Sequence, residues 1–255
     1  MSVYFKGAMP VVNTERIAKA LYALDAECRY IITEDGLYCT LIDPSNVAMI
    51  EIQAHPSAFE SFEQEGGPVM GVPLKRMTEL CKLGKKGQLH QFEYDAEKGI
   101  LQNTIGDVSM GMRLIDPDSM RTIQDIPDLS EQITATYQFD ESYLGKVIKA
   151  GSLCSDHVRF TNGGSDDPQL RAISEGDIDS CEIELGGDTH ISQSVDDRAD
   201  TLLSIAYLSE IYGGVPKNAE MTIKLGQEIP MTIEYDLVEN MIKAQCMIAP
   251  RVESD

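Results

Sequence analysis

The chain has 255 residues, 42% of them hydrophobic, which suits two domains of roughly 120 residues and a sizeable core rather than global disorder. Forty-two acidic residues against 21 basic ones leave a net charge of −21, at face value the wrong sign for a phosphate-rich partner. No apolar run approaches the ~18 residues that span a bilayer, and residues 1–21 lack a basic stretch followed by an apolar one, so no signal peptide is expected and the cytoplasm is the expected location.

In chain order, residues 11–24 (VVNTERIAKALYAL) place Val12, Ile17, Leu21 and Leu24 at helical spacing, with Asn13 as the expected N-cap. Residues 28–43 (CRYIITEDGLYCTLID) read as a hairpin turning at Asp35-Gly36, and residues 47–54 (VAMIEIQA) alternate as a further strand. A short helix is expected over 73–83 (PLKRMTELCKL), with Pro73 at its start. A second hairpin over 88–105 turns at Glu97-Lys98-Gly99, and 107–116 (DVSMGMRLID) is a strand. Residues 116–130 (DPDSMRTIQDIPDLS), with two prolines and several turn-forming Asp and Ser residues, break the pattern and read as a connector between domains.

The second half repeats the order. Residues 134–139 (TATYQF) form a strand and 141–153 (ESYLGKVIKAGSL) a helix; a meander follows over 157–164 and 173–185. A fourth helix is expected over 198–211 (RADTLLSIAYLSEI), and 219–250 yields three strands with a turn at Leu225–Glu228. The expectation is a duplicated, strand-rich unit with two helices: domains over 1–115 and 131–255, joined by 116–130.

Charge is distributed unevenly along this pattern. The four expected helices hold Arg16, Lys19, Lys75, Arg76, Lys82, Lys146, Lys149 and Arg198, eight basic residues. Against these stand five acidic ones, Glu15, Glu79, Glu141, Asp200 and Glu210. The helices are slightly positive while everything else is strongly negative. Two readings of the acidity stay open: a protein that avoids polyanions, or one solvated for a salty cytoplasm that keeps basic residues only where they are needed.

Motifs for chemistry are mostly absent. Gly84-Lys85-Lys86-Gly87 lacks the spacing of a phosphate cradle. The six cysteines and four histidines are scattered, without zinc-ligand or disulfide-framework spacing, so no metal or cofactor is expected. Asp166-Asp167 and Asp196-Asp197 leave one alternative, a divalent-cation site and with it a metal-dependent enzyme, although they lack the staggered carboxylates of a calcium loop.

Several segments resemble the proliferating cell nuclear antigen (PCNA) family of sliding clamps, and its archaeal branch most closely. The stretch IPMTIEYDLVENMIKAQCMIAPRVESD is similar to the family's ending, in which a proline-containing strand, a Glu-Tyr pair and a final A-P-[KR]-[IV]-E follow in order. DGLYCTLIDPSNVAMIEI, MGVPLKRMTELCK, LIDPDSMRTIQDIPDL and RADTLLSIAYLSEI match in the family's order and near its spacing, so the resemblance covers essentially the whole chain.

The resemblance implies an α+β DNA-clamp fold: two similar domains, each with two helices packed on antiparallel sheets, closing head to tail as a homotrimeric ring around duplex DNA. The strand over 107–115 would pair with 180–185 of a neighbour, and the helices would line the hole. Arg16, Lys82, Lys146 and Lys149 match family positions facing DNA; charge placement adds Lys19, Lys75 and Arg76. Glu15 and Glu79 stand where many relatives carry lysine. A partner-docking pocket is implied at Ile42, Val47, Met49, Ile126, Pro127, Pro230, Met247, Ala249 and Pro250. The implied partners are a clamp loader, DNA polymerase, flap nuclease and DNA ligase. A regulatory subunit of the same fold that closes a ring poorly is the second alternative.

Overall fold

The computed structural model describes residues 4–121, 123 and 127–251. The chain divides into two compact units. Unit 1 comprises Met1–Pro44, Ile50–Gln124 and Asp236–Ala244; unit 2 comprises Ser45–Met49, Asp125–Tyr235 and Gln245–Asp255.

Sequence order reveals a duplication. The first repeat runs β1 (Tyr4–Pro10), α1 (Val11–Tyr22), β2 (Glu27–Thr33), β3 (Gly36–Ile42), β4 (Ala48–Ala54), β5 (Ser61–Glu65), β6 (Val69–Pro73), α2 (Leu74–Cys81), β7 (Leu89–Asp95), β8 (Ile100–Ile105) and β9 (Val108–Arg113). The second runs β10 (Ala135–Asp140), α3 (Ser142–Cys154), β11 (His157–Thr161), β12 (Arg171–Glu175), β13 (Ser180–Glu184), β14 (His190–Val195), β15 (Asp200–Ser204), α4 (Ile205–Tyr212), β16 (Glu220–Leu225), β17 (Met231–Val238) and β18 (Ile242–Ile248). Strands of the first repeat are ordered β5-β1-β7-β8-β9 and β4-β3-β2-β6; those of the second are ordered β14-β10-β16-β17-β18 and β13-β12-β11-β15. The orders correspond strand for strand, and β1 with β5 and β7, β7 with β8, β2 with β3, β10 with β16, and β12 with β11 and β13 pair antiparallel.

Alternation explains which face of each sheet is buried. In β2 and β7 every second side chain is inside, the period-2 pattern of a strand with one wet face. The helices cover the inner faces in pairs, α1 beside α2 and α3 beside α4. Ile17, Ala18 and Leu21 fill the α1 side; Leu144, Val147 and Leu208 fill the α3–α4 side. Each fully buried large side chain contributes about 1.5–3 kcal/mol by leaving water. Two glycines are required by close approach. A Cβ on Gly36 (φ +131°) would lie 2.2 Å from the Ala54 carbonyl oxygen, and one on Gly71 would lie 2.4 Å from the Ile115 oxygen.

Three expectations need correction. Residues 198–211 are not one helix: Asp200–Ser204 form β15, paired with β11 from His157↔Ser204 to Thr161↔Asp200, and α4 begins only at Ile205. Leu202, Ile205, Leu208 and Ile211 carry a helical period across both elements. The available partner strand decides the first five residues, and Arg159 and Thr161 anchor the Asp200 carboxylate there. Asn13 is not the cap of α1. The helix starts directly from β1, with Pro10 in extended conformation at the boundary, and Asn13 is 6% exposed inside it. Strands β5, β6 and β14 were not expected, because Glu63, Glu65 and the polar run at 190–195 do not read as buried strands. Among the described residues, no helix is long and apolar enough to cross a membrane.

Candidate functional site

With boundaries in place, the helices hold six basic residues, Arg16, Lys19, Lys75, Arg76, Lys146 and Lys149. They hold three acidic ones, Glu15, Glu79 and Glu210. Lys82 caps the end of α2, and Glu141 lies just before α3. Arg198 belongs to neither helix nor candidate surface: it precedes β15 and reaches the Asp200 carboxylate at 3.3 Å. Lys19, Lys75, Arg76, Lys82, Lys146 and Lys149 are exposed. Arg16 is half-buried and donates through Nη1 to the Leu237 carbonyl at 2.8 Å, so part of its guanidinium supports the fold. The exposed lysines follow from helix geometry: with Ile17, Leu21, Met77, Val147 and Ile148 turned inward, the cationic positions fall on the solvent side.

Sheet edges form a second feature. β9 closes one end of its sheet in unit 1, and β13 closes one end of its sheet in unit 2. Other edges are covered or blunted. β15 is bordered by chain: its Asp200 N–H donates to Gly226, Glu228 N–H donates to Asp200, and Arg251 N–H donates to Leu202. β6 receives the Ile115 N–H on Gly71 at 2.8 Å. β5 is short and carries Glu63 and Glu65, which disfavour pairing, and β14 is polar and largely exposed. Close to β13 lie the two most exposed large apolar side chains among the described residues, Leu153 at 82% and Ile178 at 94%. A Cβ on Gly176 would meet the Cys154 carbonyl, which places the β12–β13 turn carrying Ile178 against the end of α3 carrying Leu153.

Residues 117–120 are anchored in unit 1 by Arg29, a residue that the sequence pattern does not single out. Arg29 donates to the Pro117 carbonyl from Nε at 3.0 Å and from Nη2 at 2.6 Å, and to the Met120 carbonyl at 2.7 Å. Such a fork holds two carbonyls that no strand partner takes. Nothing in the local sequence signals this; Arg29 and Pro117 are 88 residues apart.

Within unit 2, Val47 and Ala249 are brought together: the Ala249 N–H donates to the Val47 carbonyl at 2.8 Å. Val47, Pro230, Ala249 and Pro250 are half-buried, and Pro127 is exposed. Met49 and Met247 are 8% and 7% exposed, so they back the surface more than they present it. Ile42 ends β3 in unit 1 and is half-buried. Ile126 lies outside the described residues.

Two members of the acidic pairs are held by the chain's own donors. Asp167 is bound by Arg171 at 2.8 Å, and the Asp197 carboxylate accepts the Arg198 N–H at 2.7 Å. Among the described residues, no three His, Cys, Asp or Glu side chains are placed to hold an ion. His90 is fully buried; burial lowers its pKa to about 4 against the opposing hydrogen bond that Nε2 donates to Asn103 Oδ1, so the ring is neutral at pH 7.

Similarity across the whole chain decides the family. A DNA polymerase sliding clamp from Natronomonas pharaonis is 31% identical over 248 residues, 96% of this chain and 98% of the relative. One from Haloarcula marismortui is 32% identical over 90% of this chain and 91% of the relative. The chain belongs to the DNA polymerase sliding clamp family. Among solved structures, A. fulgidus PCNA bound to the C-terminal region of FEN-1 matches with a TM-score of 0.90 at 26% identity, over 98% of this chain and all of that one. PCNA from Thermococcus kodakaraensis shares the fold with a TM-score of 0.87, over 97% of this chain. No protein-family model matches the chain. The sliding-clamp fold is thus α+β, with PCNA neighbours across nearly its full length, and many of the relatives come from halophiles.

Proposed function

We propose that three copies of this chain close head to tail into a ring that encircles duplex DNA and docks replication and repair proteins, with no chemistry of its own. The observation that carries the reading is the pair of open edges, β9 in unit 1 and β13 in unit 2. They are not corresponding strands of the two repeats. A contact between unlike edges is heterologous, so it propagates from subunit to subunit and must close to avoid a filament. Pairing β9 with a neighbour's β13 removes two edges per contact and covers Leu153 and Ile178, whose exposure is otherwise costly in water.

In this reading residues 1–115 and 131–255 are the two clamp domains and 116–130 the connector. Arg16, Lys19, Lys75, Arg76, Lys82, Lys146 and Lys149 face the duplex. A mildly cationic lining without base readout lets DNA slide, because contacts to phosphate carry no sequence information. Topology retains the DNA, so direct affinity need not be high. The acidic remainder suits a salty cytoplasm, where screening over about 3 Å at 1 M weakens the repulsion between subunits of charge −21.

Clients dock on the surface around Val47, Pro127, Pro230, Ala249 and Pro250, with Met49 and Met247 as an adaptable backing. A short client helix with apolar anchors suits such a surface. The partner classes are a loader that opens the ring, a DNA polymerase, a flap nuclease and a DNA ligase.

The test is retention on DNA. In molar salt the chain should weigh three times its 28.1 kDa, and once loaded on nicked circular DNA it should stay bound until the circle is cut. Trimers that leave closed circles as fast as linear DNA would remove the topological mechanism. A particle that stays monomeric would favour the regulatory-subunit alternative.

A further inference from the structure

Six cysteines are free, four of them buried and two, Cys154 and Cys181, only half-buried. These two are not scattered in space. On β12 and β13, Ala172↔Ile183 and Ser174↔Cys181 are cross-strand partners, and Ala172 and Ser174 are buried on the face turned to α3. A Cβ on Gly151 of α3 would lie 2.6 Å from the Ser174 hydroxyl, so this turn of the helix rests on Ser174 and its partner Cys181. Cys154 is one helical turn beyond Gly151, on the same side. Its thiol donates to the Ala150 carbonyl at 3.8 Å, and the Cys181 side chain lies beside it, near enough to raise its pKa.

We propose that Cys154 and Cys181 form a redox modification site, a dithiol that closes to a disulfide on reaction with a peroxide. The step balances as two thiols plus hydrogen peroxide giving one disulfide and two waters. The S–S bond forms and the O–O bond breaks, and two electrons and two protons pass from sulfur to oxygen. The product ties the C-terminal end of α3 to the edge strand β13, a link between elements 27 residues apart in sequence. The site's chemistry does not depend on the ring. Burial, the Cys181 contact and the charge of Asp179 raise the Cys154 pKa, so Cys154 rests as a thiol. Closure is therefore slow near neutrality and is best driven at pH 8.5, where more thiolate is present to attack.

The chain carries its own control. Cys28 and Cys39 also lie near enough for Cys28 to raise the Cys39 pKa, yet they are 2% and 0% exposed. Proximity is common to both pairs, and access separates them.

The experiment is peroxide treatment of the folded full chain at pH 8.5, alkylation of the remaining thiols and tryptic mapping without reduction. Peptides 150–159 and 172–198 should appear joined, and alkylatable thiols should fall from six to four. The link should be absent from Cys154→Ser and from Cys181→Ser, and dithiothreitol should restore six thiols. Six thiols surviving treatment would overturn the proposal. So would a Cys28–Cys39 link in its place, or a 150–159 peptide joined to a second copy of itself. The wild-type map decides the matter even if a variant fails to fold.

Discussion

Two units built on one order of elements differ in what they place at the surface and in the core. In the first repeat, α1 and α2 carry four basic residues offset by Glu15 and Glu79, and Arg16 is tied to a backbone carbonyl. In the second, α3 carries two exposed lysines and no acid, and α4 carries only Glu210. Unit 1 buries a polar pair, His90 Nε2 and Asn103 Oδ1 at 3.0 Å; Asn103 also donates to Leu101 and Met110 carbonyls, binding β7, β8 and β9 from inside. Unit 2 buries Asn162, whose Oδ1 accepts from the Gly164 and Ala199 N–H groups, while both units pack aromatic rings together, Phe5 on Phe92 in one and Phe139 on Tyr143 in the other. The difference teaches that strand order requires only the right alternation and partners, while charge and edge chemistry can diverge freely between copies.

The largest expected effect separates the edges. Leu153→Asp with Ile178→Asp should leave the chain folded, since both side chains are 82% or more exposed, but should weaken trimer association by about 100-fold or more. Light scattering in molar salt would then report single chains. Val12→Asp with Tyr22→Asp, on α1 of unit 1, should leave the mass unchanged; equal behaviour of the two variants would erase the distinction between the units.

Salt should come next. Going from 1 M to 0.01 M lengthens screening from about 3 Å to about 30 Å, and three chains of charge −21 then repel across the whole interface. The dissociation constant should rise by tenfold or more, read from the same mass measurement over a dilution series. A trimer indifferent to dilution of the buffer would contradict the salt reading of the acidity.

Acid should distinguish the cores. His90 titrates near 6.5 when unfolded and at about 4 when folded, so the unfolded chain binds the proton first. The stability of unit 1 is intact above pH ~6.5 and is lost as pH falls towards 4, by up to about 1.4 kcal/mol per pH unit. Urea midpoints followed against pH should show this slope, and a His90→Gln variant that still folds should flatten it. An identical slope in the variant would place the acid sensitivity elsewhere.

The smallest effect concerns the helices proposed to face DNA. Lys146→Gln with Lys149→Gln should reduce polymerase stimulation severalfold, and Lys75→Gln with Arg76→Gln by less, because Glu79 already offsets part of the α2 charge. Matched losses would mean that net charge, not its placement, sets the interaction.

Much of this arrangement was legible from residues alone. Hairpin alternation gave β2–β3 and β7–β8, and the helical period of Ile17 and Leu21 gave α1. The duplicated order, the cationic bias of the helices and the basic candidates on α1, α2 and α3 were also visible. The fourth helix was half wrong because Leu202 and Leu203 satisfy a helix and a strand equally well. Arg29 was missed because its partners are backbone carbonyls that no side-chain pattern announces. The cysteines looked scattered because spacing along the chain says nothing of a contact made by folding β13 back on β12.

What the sequence by itself determined was local and periodic. Alternation selects the buried face of a strand, the 3.6-residue period selects that of a helix, and glycines such as Gly36 permit the turns between them. What only the tertiary structure decided was pairing across distance: β11 holding Asp200–Ser204 extended, Arg29 clasping the Pro117 and Met120 carbonyls, Val47 meeting Ala249, and the end of α3 carrying Cys154 resting on the face that carries Cys181. The physical reason is that a backbone donor or a thiol is the same group wherever it occurs. Its partner is selected by which edges and surfaces the rest of the chain has left open.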